Sequence, residues 1–145
     1  QLRQAHQPAA ALESLDALEA RFPNGALADA ARLARIEALL SLGRAADALA
    51  LLDGAPGLSA LKGQELLVLR GELRESAGRH VEALADFQAA TRAPLAAVRE
   101  RAVYGAAGAL ARLGRDEEAR AALEAYLDDF PAGRFAAAAR TALGR

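Results

Sequence analysis

Three short stretches decide how this chain is read: Gly43-Arg44-Ala45-Ala46-Asp47-Ala48-Leu49, Gly78-Arg79-His80-Val81-Glu82-Ala83-Leu84 and Gly114-Arg115-Asp116-Glu117-Glu118-Ala119-Arg120. Each runs Gly-Arg, two variable residues, an acid and then alanine, and the glycines stand 35 and 36 residues apart. A second marker keeps the same step. Phe22-Pro23-Asn24-Gly25-Ala26-Leu27-Ala28 returns as Phe130-Pro131-Ala132-Gly133-Arg134-Phe135-Ala136, 108 residues or three steps of 36 later. Glycine tolerates the left-handed geometry that ends a helix, so it suits the turn between two antiparallel helices. The acid four residues on falls in the first turn of the next helix, where the macrodipole favours negative charge. Pro56, Pro94 and Pro131 then stop each second helix. A helix–turn–helix unit of this length cannot bury its apolar stripe alone, so neighbouring units must share a core.

Composition agrees. Alanine fills 41 of 145 positions and leucine 25, whereas Ile, Val and Thr together fill seven. Alanine and leucine are strong helix formers and the β-branched residues are the usual strand formers, so the chain is expected to be all-α. One domain spanning 1–145 fits the length, with about eight helices near 8–21, 25–42, 45–54, 60–76, 80–92, 95–112, 116–129 and 133–143. Asp53-Gly54-Ala55-Pro56-Gly57 is the strongest loop signal and the expected point of flexibility, though not an obvious domain boundary. Arginine outnumbers lysine 17 to 1, which reads as the mark of a GC-rich coding sequence. No methionine occurs, even at residue 1, so the sequence is expected to be a piece of a longer protein. The last pattern stops about seven residues before its expected turn glycine.

The residues after each glycine carry a finer signature. Ala48, Leu52 and Ala55, then Ala83, Phe87 and Ala90, then Ala119, Leu123 and Tyr126 hold one helix face. This resembles the tetratricopeptide repeat, whose second helix carries alanine, an aromatic or leucine, alanine, and then proline. The resemblance covers nearly all of the chain and implies a right-handed α-solenoid of stacked antiparallel helix pairs. Departures lie in the first helices, where Arg32, Arg35, Arg70 and Arg74 fall near slots the family fills with large apolar residues. Leu33, Ile36 and Leu40 form a cleaner stripe, as do Leu66, Leu69 and Leu73. The Phe-Pro-x-Gly-x-x-Ala junctions are similar to those of bacterial envelope tetratricopeptide proteins, including outer-membrane assembly lipoproteins and Tol–Pal coordinators. That likeness implies a periplasmic or envelope-associated protein, with the cytoplasm as the alternative.

Chemistry finds little to work with. Cysteine is absent, which removes disulfides, thiolate metal sites and cysteine nucleophiles together. His6 and His80 lie 74 residues apart, and His80 reads as a packing residue. No Walker loop or Gly-x-Gly-x-x-Gly occurs, and Gly105 and Gly108 read as close helix packing. None of the four serines lies in a Gly-x-Ser-x-Gly elbow. Asp116-Glu117-Glu118 and Asp128-Asp129 read as solvated helix faces, and no calcium loop is found. With 18 basic residues against 19 acidic and six aromatics in all, nucleic-acid binding is not expected. No apolar run approaches the ~20 residues that span a bilayer.

The chain is therefore expected to be a non-catalytic interaction scaffold without cofactor or metal, its partner a peptide or helix of another protein. Candidates for the groove are Glu37, Arg70, Glu72, Arg74, Arg101 and Tyr104; their alternative is an ordinary solvated surface, with Tyr104 in the core. Replacing Arg70 and Arg74 by alanine is expected to weaken partner capture without unfolding the domain. Three rivals stand beside it: a sensor domain of a larger cytosolic regulator, a hydrolase or transferase with carboxylates in the concave face, and a self-assembling module.

Overall fold

A computed structural model describes residues 2–21, 28–54 and 64–145. These form eight α-helices and no strand. They are α1 (Leu2–Arg21), α2 (Ala28–Ser41), α3 (Ala45–Asp53), α4 (Glu65–Ser76), α5 (His80–Ala89), α6 (Ala96–Arg112), α7 (Asp116–Asp129) and α8 (Ala136–Ala142). Two compact units divide the chain between Ala55 and Pro56, inside the loop that the glycines and proline mark. Residues 22–27, which hold most of the first Phe-Pro junction, and residues 55–63 lie outside the described residues.

The repeated Gly-Arg turns are alike atom by atom. Gly43, Gly78 and Gly114 take φ of 73°, 80° and 74°, the left-handed region that glycine enters without a Cβ clash. In each turn the following arginine N–H donates back to the carbonyl five residues earlier, Arg44 to Leu39, Arg79 to Arg74 and Arg115 to Leu110, at 2.8–2.9 Å. The six-to-one bond satisfies a carbonyl the helix end leaves orphaned. The same arginines then grip the acid three residues on: Arg44 pairs with Asp47, Arg79 with Glu82 and Arg115 with Glu118. The acid thus answers both a helix dipole and a side chain, where the spacing alone suggests only the dipole.

A fourth such turn follows α8, contrary to the sequence expectation. Gly144 has φ 77° and Arg145 N–H donates to the Arg140 carbonyl at 2.9 Å. It follows Gly114 by 30 residues because α8 is only seven residues long. Two boundaries also move. The first helix begins at Leu2 and carries Pro8 within it, instead of starting there. Gln64 sits at φ 72°, a left-handed residue that a right-handed helix cannot include, so α4 begins at Glu65.

In Gln1–Ala55, α2 packs on α1 and α3, and Arg35 reaches Asp16 at 2.7 Å and Glu19 at 3.2 Å. Ile36, Leu39, Ala48 and Leu52 are buried. In Pro56–Arg145, α5 packs between α4 and α6, α4 also touches α6, and α7 packs on α6 and α8. Buried here are Ala83, Phe87, Ala90, Ala119 and Tyr126, all from the repeated signature. Burial on α4 differs from the expected stripe. Leu66, Leu67, Val68 and Gly71 are buried, while Leu69 and Leu73 are partly exposed, because α4 meets two neighbours and not one.

Candidate functional site

A cleft forms where α4 and α6 stand on either side of Phe87. The ring allows no side chain beside it: a Cβ on Gly71 of α4 would lie 2.9 Å from it, and one on Gly105 of α6 only 2.6 Å. These two glycines let α4 and α6 close over α5, as the packing reading of Gly105 expects. Gly108 differs from the sequence expectation in having no packing role. A Cβ there would meet nothing within 4 Å, and the residue is exposed. It belongs instead to the lining of a cleft of about 250 Å³, with Arg101, Tyr104 and Arg112 beside it on α6 and Glu72 and Glu75 facing from α4.

The walls are partly aromatic and partly charged. Phe135 stacks flat on Tyr104, centroids 4.4 Å apart and planes within 1°, and the Arg134 guanidinium lies 5.3 Å from the Phe135 ring centre. Arg101 spans the cleft to Glu72 through two hydrogen bonds of 2.5 and 3.2 Å. Glu72 is the main reason the Arg101 guanidinium is held above its ordinary pKa, against the opposing cost of its burial. Glu75 Oε1 lies 2.6 Å from His80 Nδ1 at the start of α5, with both Glu75 oxygens buried and without a hydrogen bond among the described residues. The Tyr104 hydroxyl and the Arg112 guanidinium have no hydrogen-bond or ion-pair partner among the described residues.

Phe135 is placed by the second Phe-Pro junction. Tyr126 is fully buried in the cluster with Ala136 and Ala139. Its hydroxyl donates to Glu100 Oε1 at 3.0 Å and accepts the Phe135 N–H at 2.9 Å. Glu100 Oε1 also accepts the Arg134 N–H at 2.6 Å. Burial, then the Glu100 carboxylate, raise the Tyr126 hydroxyl above its usual pKa, against the opposing Phe135 hydrogen bond. A Cβ at Gly133 would lie 2.6 Å from that hydroxyl, so the junction glycine makes room for it.

Of the sequence candidates, Glu72, Arg101 and Tyr104 come together in this cleft. Arg70 and Arg74 turn to α5 instead. Arg70 donates two hydrogen bonds to Asp86, at 2.7 and 3.0 Å, and Arg74 adds a third at 2.9 Å. The Asp86 side chain is only 5% exposed, so this is a buried ion cluster joining α4 to α5. Glu37 is exposed on α2, in the other unit. Sequence reasoning missed Glu75, Gly108, Arg112 and Phe135. Gly108 and Arg112 were findable, because they follow Arg101 and Tyr104 at the spacing of one helix face.

A second cleft, of about 370 Å³, lies between α7 and α8 and is lined by Leu123, Arg120 and Leu143 among others. Arg120 there is already engaged with the Leu143 carbonyl at 3.3 Å. Among the described residues no group of three or more His, Asp or Glu side chains could hold a metal ion. None of the described helices is long and apolar enough to cross a membrane. Comparison with protein families, with curated proteins and with solved structures finds no match to this chain.

Proposed function

We propose that this chain is a non-catalytic protein-interaction module, a short right-handed stack of tetratricopeptide-like helix pairs that receives a peptide or helix of a partner in the α4–α6 cleft. The observation that carries the reading is the cleft itself: a stacked Tyr104–Phe135 pair and an arginine, unpaired among the described residues, bordering an open glycine. Aromatic and arginine side chains dominate binding energy at protein interfaces. A volume of about 250 Å³ falls below the ~300–1,000 Å³ of small-molecule sites and suits an anchoring side chain. Four Gly-Arg turns of one geometry support the repeat assignment. The Phe-Pro junctions support placing the protein in a bacterial envelope.

The test is selection of a random-peptide display library on the whole 145-residue chain, with binding then measured by fluorescence anisotropy. Peptides that bind the native chain and lose affinity for Gly108→Leu, which fills the cleft, are expected. No enriched peptide, or enriched peptides indifferent to Gly108→Leu, would refute the reading.

A further inference from the structure

We infer that the partner segment is acidic and apolar together: it sets a carboxylate on Arg112 and a large apolar side chain over Gly108. This rests on the interaction reading above and names the chemistry that fills the same cleft.

The charges decide the first half. Four charged residues line the cleft, two of each sign. Glu72 is bound by Arg101, and both Glu75 carboxylate oxygens are buried beside His80, out of reach of a ligand. Arg112 is left with no partner among the described residues, and it stands in the last turn of α6 with its side chain exposed. A guanidinium presents a planar fork that matches a carboxylate through two parallel hydrogen bonds. A basic segment would meet like charge at Arg112. A nucleic-acid strand would not find in this cleft the run of cations that phosphate tracking needs.

The shape decides the second half. Gly108 lies one helical turn from Tyr104 and from Arg112, so the space over it opens between the aromatic pair and the guanidinium. The stacked Tyr104–Phe135 pair supplies apolar surface already held in place, so less of the protein has to be ordered when a side chain enters. The Tyr104 hydroxyl, without a hydrogen-bond partner among the described residues, adds one polar group at the same rim.

Peptides from the selection described above provide the test, with Arg112→Gln and Arg112→Glu as variants. Arg112 is exposed and without a partner among the described residues, so Arg112→Gln should melt near the native temperature, and Arg112→Glu slightly below it because an anion in the last turn of α6 opposes the helix dipole. Enriched peptides are expected to carry Asp or Glu near Phe, Leu or Trp. Their affinity is expected to fall about tenfold or more on Arg112→Gln, the scale of a charge-assisted contact, and further on Arg112→Glu. Peptides that lose affinity on Gly108→Leu but ignore both Arg112 variants would overturn this inference and leave the interaction reading standing. Peptides indifferent to all three variants, or none enriched, would remove both. Self-association of the free chain that Gly108→Leu abolishes would give the cleft to a second copy and overturn the inference as well.

Discussion

Two arginine–carboxylate links leave α4 on opposite sides, and they have opposite characters. On one side Arg70 and Arg74 hold Asp86, whose side chain is 5% exposed, in a cluster with three hydrogen bonds. On the other, Glu72 meets Arg101 of α6, with the two side chains 41% and 24% exposed. Residues two apart on a helix point roughly 200° apart, so Arg70 and Glu72 cannot share a surface. The buried link joins α4 to α5 and belongs to folding. The open link joins α4 to α6 at the cleft and stays partly exposed to solvent. Charge type is common to both, and only the direction in which each residue faces separates them.

Breaking the buried link should show the contrast at its largest. Asp86→Ala removes the carboxylate that Arg70 and Arg74 share where solvent is scarce, at 17% and 12% exposure, and leaves Arg74 the more distant Glu82 at 3.9 Å. It should cost about 3–5 kcal/mol in urea unfolding. Arg101→Ala should cost no more than about 1 kcal/mol, because partly exposed pairs contribute little. Equal losses would erase the distinction.

Two glycines on one helix sharpen it further. Gly105→Ala places a methyl 2.6 Å from the Phe87 ring and should destabilise by about 1–3 kcal/mol. Gly108→Ala, one turn along, enters open space and should stabilise by about 0.5–1 kcal/mol. Thermal melts of the pair should therefore shift in opposite directions, and shifts of the same sign would contradict the geometry of the cleft.

The Tyr126 hydroxyl supports the cleft from behind, and Tyr126→Phe should cost about 1–3 kcal/mol by leaving the Phe135 N–H without its acceptor. Because folding raises this pKa, the stabilisation tied to the neutral hydroxyl is complete below the unfolded value of roughly 10. It is lost as pH climbs through the higher folded value. Alkaline unfolding should accordingly set in at a higher pH for Tyr126→Phe than for the native chain, measured by circular dichroism and referred to each protein's stability at neutral pH. The smallest effect is expected at the surface. The Glu118 carboxyl is held below its usual pKa by the hydrogen bond from Arg115. That contribution is present above the unfolded value of about 4.3 and disappears as pH falls through the lower folded one. Glu118→Gln should remove this modest acid dependence.

The all-helical class and most helix positions are legible in the sequence because glycine punctuates it. Gly43, Gly78 and Gly114 each mark a left-handed turn, and composition leaves no alternative to helix between them. The fourth turn escapes such a reading because α8 is short, which brings Gly144 forward from where a constant period would put it. The cleft is half legible. Glu72, Arg101 and Tyr104 emerge from the sequence, but in company with Arg70 and Arg74, although helical periodicity already sets those two on another face of α4. What attracts them, Asp86, lies on α5 twelve and sixteen residues away, and no local spacing signals it. Gly108 and Gly105 look identical in sequence. Their difference depends on where the Phe87 ring falls, and that is settled only by packing.

The proposed function divides the charges of α4 between folding and binding, and paired measurements on Arg70→Ala and Arg101→Ala test this division most directly. For each variant the unfolding free energy and the affinity for a cleft-selected peptide would be determined on the same preparation. Arg70→Ala is expected to lose several times more stability than Arg101→Ala while keeping peptide affinity under conditions where it stays folded. Arg101→Ala is expected to keep its stability and lose about fivefold or more in affinity, the scale of an interface arginine. Affinity lost in Arg70→Ala and retained in Arg101→Ala would contradict the division.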